Sequence, residues 1–322
     1  QRGSGKRSSF YSDFTFGCWD GEGELLPVGK AYFGFTDEEL KWLDGFVRKP
    51  GAEVFASDIE SANAYNASYS LHDRTRTFLK VQDGCDYSCT FCTIPLARGT
   101  SRSDTIEGVV RNARKLGGEG IREVVLTGVN IGDFGFGPAP DERKRRQEDF
   151  SELVRALDKV ESVSRFRISS IEPNLLRPEI IDLVARSSRF AQHFHMPLQS
   201  GSNQVLGLMK RRYRRELYAE RVRAIRAAIP HCCIGVDVIT GTPGETDQEF
   251  LKTHEFLRSI PIDYLHVFTY SERANTTAVR MEDAIPMEVR RDRTKQLRSL
   301  SNKLQFAFHQ SHLGSIRPVL FE

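Results

Sequence analysis

No apolar run in this chain approaches the ~20 residues that a membrane-spanning helix needs. The N-terminus lacks the apolar segment of a secretory signal. A helical membrane protein is thereby excluded. Cysteine is scarce, with 6 in 322 residues. Disulfide-stapled secreted scaffolds are short and cysteine-dense, whereas a chain this long buries enough core to fold without them. The sequence therefore points to a reducing, cytoplasmic compartment. Internal repeats and long low-complexity tracts are missing too, which leaves an ordinary globular chain of about two domains. Hydrophobic residues at 39% and charged residues at 28% agree with that class.

Net charge is only +3, too small to require a polyanionic partner. The basic residues are nevertheless bunched, as RKRR at 143–146, KRRYRR at 210–215 and RRDR at 290–293. Any one of these fits a solvated helix face; together they favour contact with phosphates. The sequence also reads as cut at both ends. It opens on Gln1 in a polar QRGSGKRSS stretch, and IRPVLFE at its end starts like a strand and stops.

Short segments rich in β-branched and aromatic residues predict strands at 78–82, 123–128, 165–170, 193–198, 233–239 and 264–271. Helical spacing of apolar residues fills the gaps, at 105–120, 148–162, 178–188, 214–230 and 246–261. A last helix is predicted over 287–314, ending at Gly314, and a separate one over 36–47. Alternating strands and helices imply a parallel α/β sheet. Six units rather than eight suggest an open (β/α)6 partial barrel or a wound sheet, with ligands expected at the strand C-terminal ends. The segments LTGVNIGD, ISSIEPN, MPLQSGS, DVITGTPGET and TYSERANT begin near those ends and carry the polar residues of ligand-facing loops.

Three of the cysteines, Cys85, Cys89 and Cys92, sit in DGCDYSCTFCTIPLARG directly after the first of these strands. Spacings of four and three put three thiols on one compact loop. Iron–sulfur clusters are held by thiolates so spaced, while structural zinc prefers four ligands in separated pairs. No second pair is evident. Cys232 and Cys233 are strand neighbours that point to opposite faces, as core residues do. His193 and His195 would share one strand face as packed or hydrogen-bonded side chains. Three ligands on a four-iron cluster leave one iron open, as a catalytic centre requires.

The C-x3-C-x2-C loop with Phe91 before its last cysteine resembles the radical S-adenosylmethionine (SAM) superfamily, whose partial barrel has six β/α units. The wording KVQDGCDYSCTFCTIPLARG, VVLTGVNIGDFG, RISSIEPNLL, HFHMPLQSGSNQVLGLMKRRY, IGVDVITGTPGET and HVFTYSERANT is more specific. It resembles the radical SAM methylthiotransferases, and most of all the MtaB branch, over roughly residues 28 to 322. That resemblance implies methylthiolation of C2 of N6-threonylcarbamoyladenosine, next to the anticodon of tRNA. It implies that Cys85, Cys89 and Cys92 ligate a 4Fe–4S cluster whose open iron binds SAM. SAM would supply both the radical that abstracts hydrogen and the methyl group. Phe91, Thr127, Gly128, Asn130, Ser170, Glu172, Gln199, Ser200 and Asp237 become SAM- or substrate-facing positions. Lys210, Arg211, Arg212, Arg290 and Arg291 become RNA contacts.

The resemblance also divides the chain. Residues 1–70 would be a remnant of an N-terminal methylthiotransferase domain plus linker, 71–286 the radical SAM core, 287–314 a C-terminal helix and 315–322 the start of a TRAM β-barrel. The family's second 4Fe–4S cluster needs three further cysteines. Only Cys18 matches, so this cluster is expected to be incomplete here. The expected partners are tRNA and an electron donor, with no membrane, no DNA and a monomeric state. Two alternatives stand beside this reading: a sister branch acting on isopentenyladenosine tRNA or a ribosomal-protein aspartate, and a non-catalytic zinc or RNA-binding module.

Overall fold

The computed structural model describes residues 14–19, 25–31, 65–69, 76–135 and 148–320. The chain divides into two units, 1–57 and 58–322, so the final helix belongs with the larger unit. In the first unit, β1 (Phe14–Trp19) and β2 (Leu25–Ala31) pair antiparallel, with an irregularity between Phe16 and Gly17. Cys18 lies on β1 opposite Leu26. The helix expected over 36–47 and the basic run 143–146 lie outside the described residues.

The second unit begins its sheet at β3 (Arg76–Lys80), followed by the two-residue β4 (Gln82–Asp83). A short helix α1 (Ile94–Arg98) and β5 (Arg102–Ser103) come next; β5 pairs antiparallel with β4. Then follow α2 (Ile106–Gly118), β6 (Glu123–Thr127), α3 (Phe150–Leu157), β7 (Arg165–Ile168), α4 (Pro178–Arg186) and β8 (His193–Gln199). Two helices, α5 (Asn203–Leu208) and α6 (Arg215–Ala228), lead to β9 (Cys233–Thr240). The order ends with α7 (Asp247–Ser259), β10 (Tyr264–Thr269) and α8 (Met287–Gln310).

Strands β3, β6 and β7 form one parallel ladder, and β8, β9 and β10 another. Isolated parallel bridges, Phe166 to Phe190 and Ser170 to His195, join the halves. The result is the open six-unit partial barrel, its seam at the β7–β8 join. Alternation then sorts the side chains. Phe194, Met196 and Leu198 of β8 and Ile234, Val236 and Val238 of β9 are buried in one hydrophobic core with helix residues such as Tyr218, Val222 and Leu297. The intervening residues, including His193, His195, Asp237, Tyr264 and His266, face the other side.

Local chemistry sets the helix starts. Thr105 accepts from the Gly108 N–H ahead of α2, and Asp149 with Glu152 forms a reciprocal capping box on α3. Among the described residues no helix is long and apolar enough to cross a membrane.

Candidate active site

The cysteine loop leaves the sheet at β4 and is folded back by β5. Gly84 makes this possible: its φ is +72°, and a Cβ there would stand 1.9 Å from the Thr100 carbonyl oxygen. Gln82 pins the loop from below. Its amide donates to the carbonyls of Asp83 (3.0 Å) and Gly84 (2.8 Å) and to Ser101 Oγ (2.9 Å). Its oxygen accepts the Asn130 N–H at 2.8 Å, which ties the loop to the end of β6.

All three cysteines are half-buried and line one open cavity of about 980 Å³, together with residues of the 275–277 loop after β10. Among the described residues each sulfur receives one hydrogen bond. The Tyr87 and Ile94 N–H groups donate to Cys85 and Cys92, both at 3.4 Å, and Arg211 Nη1 donates to Cys89 at 3.1 Å. Burial pushes the Cys85 thiol up to about 11. Burial also raises Cys89, with the Arg211 charge opposing it. Neutral thiols are therefore the favoured form of Cys85 and Cys89, and a coordinated metal centre is what deprotonates such thiols. Three sulfurs on one cavity wall fit a three-thiolate iron–sulfur cluster with an open iron.

Arg211 does not reach solvent. Its side chain is 4% exposed, and its Nη2 pairs with Glu172, itself 15% exposed. Its Nε donates to Tyr213 Oη at 3.2 Å, and that hydroxyl contacts the carbonyl oxygens of Pro197 (2.5 Å) and Leu198 (3.0 Å). Burial raises the Glu172 carboxyl, outweighing the Arg211 charge that lowers it. The expectation of Arg211 as an RNA contact is thus corrected: it joins the cysteine loop to the loop after β7.

Arg290 is corrected in the same way. It is 4% exposed and donates to Ile285 O (2.6 Å), Tyr270 O (3.1 Å) and Glu272 Oε1 (2.7 Å). With Arg293, which holds Glu245 Oε2 at 2.8 Å, it clamps the loops after β9 and β10 onto α8. Helical period explains both: positions 290 and 293 turn inward, while Arg291 faces out. Lys210 is exposed at a φ of +55°. Arg212 lies 4.0 Å over the Tyr87 ring and donates to Asp86 O at 2.7 Å.

The other expected positions are spread over strand ends, the cysteine loop and the middle of β9, and do not share one surface. Thr127 closes the β3–β6 ladder and Gly128 packs on Gln82. Ser170 bridges to His195. Asn130 Oδ1 and Gln199 Oε1 are buried acceptors with no partner among the described residues. Ser200 is fully buried and bonded to Thr253 Oγ1 at 3.0 Å, which makes it a turn anchor. Phe91 lines an apolar crevice with Leu208, Met209, Pro243 and Met281. Asp237 lies midway along β9, beside His195 and His266.

Cys232 is buried in the core, and its thiol is pushed by burial up to about 12. His193 and His195 both contact the Tyr264 hydroxyl, at 3.0 and 3.1 Å, as hydrogen-bonded strand histidines do. Burial, helped by the Arg167 charge, pushes His193 down to about 3. That group adds stability fully present above its ordinary 6.5, which drains as pH falls toward 3, by up to about 1.4 kcal/mol per unit. His193→Gln is therefore expected to flatten the melting temperature between pH 6.5 and 4. Parallel wild-type and variant profiles would show that His193 does not carry this dependence.

Comparison with known proteins places this arrangement. Residues 79–257 match the family model of the Radical SAM superfamily. The chain is 40% identical over 302 residues to the threonylcarbamoyladenosine tRNA methylthiotransferase MtaB of Bacillus subtilis (strain 168), spanning 92% of this chain and 65% of that protein. It is 35% identical over 300 residues to the MtaB of Aquifex aeolicus (strain VF5), spanning 92% of this chain and 70% of that one. A tRNA-2-methylthio-N(6)-dimethylallyladenosine synthase of Pelotomaculum thermopropionicum is 32% identical, over 77% of this chain and 54% of its own length. Among solved structures, coproporphyrinogen III oxidase (HemN) from Escherichia coli superposes with a TM-score of 0.50 at 16% identity, covering 70% of this chain and 52% of that one. The last agreement concerns the fold alone.

Proposed function

The chain belongs to the radical SAM superfamily and, within it, to the MtaB methylthiotransferases, and from this premise we propose that it methylthiolates threonylcarbamoyladenosine in tRNA. The observation that carries the reading is the cysteine loop: three sulfurs, each with a single hydrogen-bond donor among the described residues, on the wall of one open cavity at the C-terminal end of the sheet. Cys85, Cys89 and Cys92 would hold a 4Fe–4S cluster, which supplies the electron that cleaves bound SAM to a radical.

The protein's own residues do the positioning. Gln82 and Gly84 fix the loop, and Arg211 braces Cys89 against Glu172. Asn130 Oδ1 and Gln199 Oε1, buried acceptors with no partner among the described residues, offer sites for the SAM amino group. Cys18 would contribute one ligand to the second cluster of the family.

For the RNA, three cations on the outer face of α8 fit the sugar–phosphate backbone. Arg291, Lys295 and Arg298 line a groove of about 420 Å³ with Thr269, Ser299 and Asn302. Lys210 and Arg212 provide further exposed cations near the cysteine loop. The test is anaerobic turnover of cluster-loaded protein with SAM, a reductant and tRNA carrying threonylcarbamoyladenosine, followed by mass analysis of its nucleosides. A thiomethyl group in place of one hydrogen on that nucleoside is expected. The same gain only on dimethylallyladenosine tRNA would move the chain to the sister branch. In parallel, Arg291→Glu/Lys295→Glu/Arg298→Glu should weaken tRNA binding by roughly tenfold or more and reduce the salt slope by about 2–3. SAM cleavage without tRNA should not change.

A further inference from the structure

The inner face of the sheet carries a second group of ligand-type side chains, on β8, β9 and β10. His195 Nε2 lies 2.8 Å from Asp237 Oδ1, and His266 Nδ1 lies 3.4 Å from the same oxygen. All three donor atoms fall within 4.8 Å of one another. We propose that His195, Asp237 and His266 form a site for one borderline divalent cation of the zinc type.

The spacing is close to what a metal would need: His266 Nδ1 stands at the tetrahedral separation from Asp237 Oδ1, and His195 Nε2 would withdraw by a few tenths of an ångström. Tetrahedral ligands at ~2.1 Å from a zinc ion stand about 3.4 Å apart, and octahedral neighbours about 3.0 Å. Two imidazoles and a carboxylate are a zinc-type or iron(II)-type donor set that leaves further positions open. The three come from adjacent strands in register: Asp237 pairs with Pro197 and with His266, and Gly235, one inward position earlier, pairs with His195 and Tyr264.

The surroundings hold the ligands in a metal-binding pose. The Tyr264 hydroxyl meets His195 Nδ1 at 3.1 Å, which leaves Nε2 to face Asp237. A partner on the far ring nitrogen is the usual support of a metal-bound histidine. Gly235 makes room for it, since a Cβ there would stand 2.2 Å from the Tyr264 ring and 2.6 Å from His195 Nδ1. The nearby Arg167 is occupied by Glu123 at 2.9 Å. A simple His195–Asp237 hydrogen bond accounts for two of the groups. The third, His266, is 57% exposed, packs against the His195 and Tyr264 rings with centroids 4.9 and 5.2 Å away, and also turns Nδ1 toward the same oxygen.

The test uses full-length, cluster-loaded protein, so that the three cysteines are already occupied. After equilibrium dialysis against micromolar zinc, one zinc per chain is expected, with iron retained. His266→Ala and Asp237→Asn should each weaken zinc binding at least tenfold without loss of iron. His266 is exposed, so its replacement leaves the fold in place, and a thermal melt checks both variants. X-ray absorption at the zinc edge should show nitrogen and oxygen at about 2.0–2.2 Å and no sulfur at about 2.3 Å. No bound zinc, zinc unaffected by both variants, or a sulfur shell would overturn the proposal.

Discussion

Cys89→Ala is expected to strip the protein of its iron while leaving its sheet intact. Wild-type protein reconstituted without oxygen should hold about four irons per chain and absorb broadly near ~400 nm; the variant should hold less than one and be colourless. SAM cleavage should vanish with the colour. Compared in the cluster-free state, stability should change little, because Cys89 is a half-buried loop residue outside the hydrophobic core. The lost hydrogen bond from Arg211 is worth on the order of 1 kcal/mol, or roughly 2–4 °C of melting temperature. Cys232→Ala supplies the contrast. That thiol is fully buried among core residues, so its loss should lower the melting temperature and leave iron unchanged. Full iron in Cys89→Ala would remove the loop from the ligand set.

Arg211→Ala is the second large effect, and it acts on stability. Truncation leaves Glu172 buried without its cation and Cys89 without its donor. Breaking a buried ion pair from one side costs about 3–5 kcal/mol, and at roughly 2–4 °C per kcal/mol that is a melting shift well clear of error. The sign of its pH dependence follows from the carboxyl. Burial already raises Glu172 in the native protein, and without Arg211 it rises further. A carboxyl that binds its proton more tightly folded than unfolded stabilises at low pH and loses that contribution as pH increases. The variant should therefore be more destabilised at pH 8 than at pH 5. Glu172→Gln added to Arg211→Ala should recover part of the loss, since an amide carries no charge to bury. A melt like wild type at pH 8 would show that the Arg211–Glu172 pair is not holding these loops.

The parts of this molecule that were legible in its sequence are those written by local pattern. The strand expected at 193–198 is β8, one residue longer. The helix expected at 214–230 is α6, trimmed at both ends. The cysteine loop stood out because its spacing is itself the chemistry. What escaped was too short for a period or assembled from distant positions. The two-residue pair β4 and β5 gives no alternation, and α5, capped by Ser202, is six residues long. The basic runs misled for a physical reason. A run of arginines looks solvated as a string, yet the chain turned Arg211 inward beside Tyr213 and the period of α8 turned Arg290 and Arg293 inward. His195, Asp237 and His266 meet only because three strands lie side by side, which no single stretch of sequence announces.

Production of 5′-deoxyadenosine decides whether the cysteine loop does what its geometry supports. Wild-type protein, reconstituted with iron and sulfide under anaerobic conditions and given SAM and a strong reductant, should form it, and Cys89→Ala should not. Colourless protein that binds zinc at the three cysteines and forms no 5′-deoxyadenosine would contradict the radical SAM reading of this site.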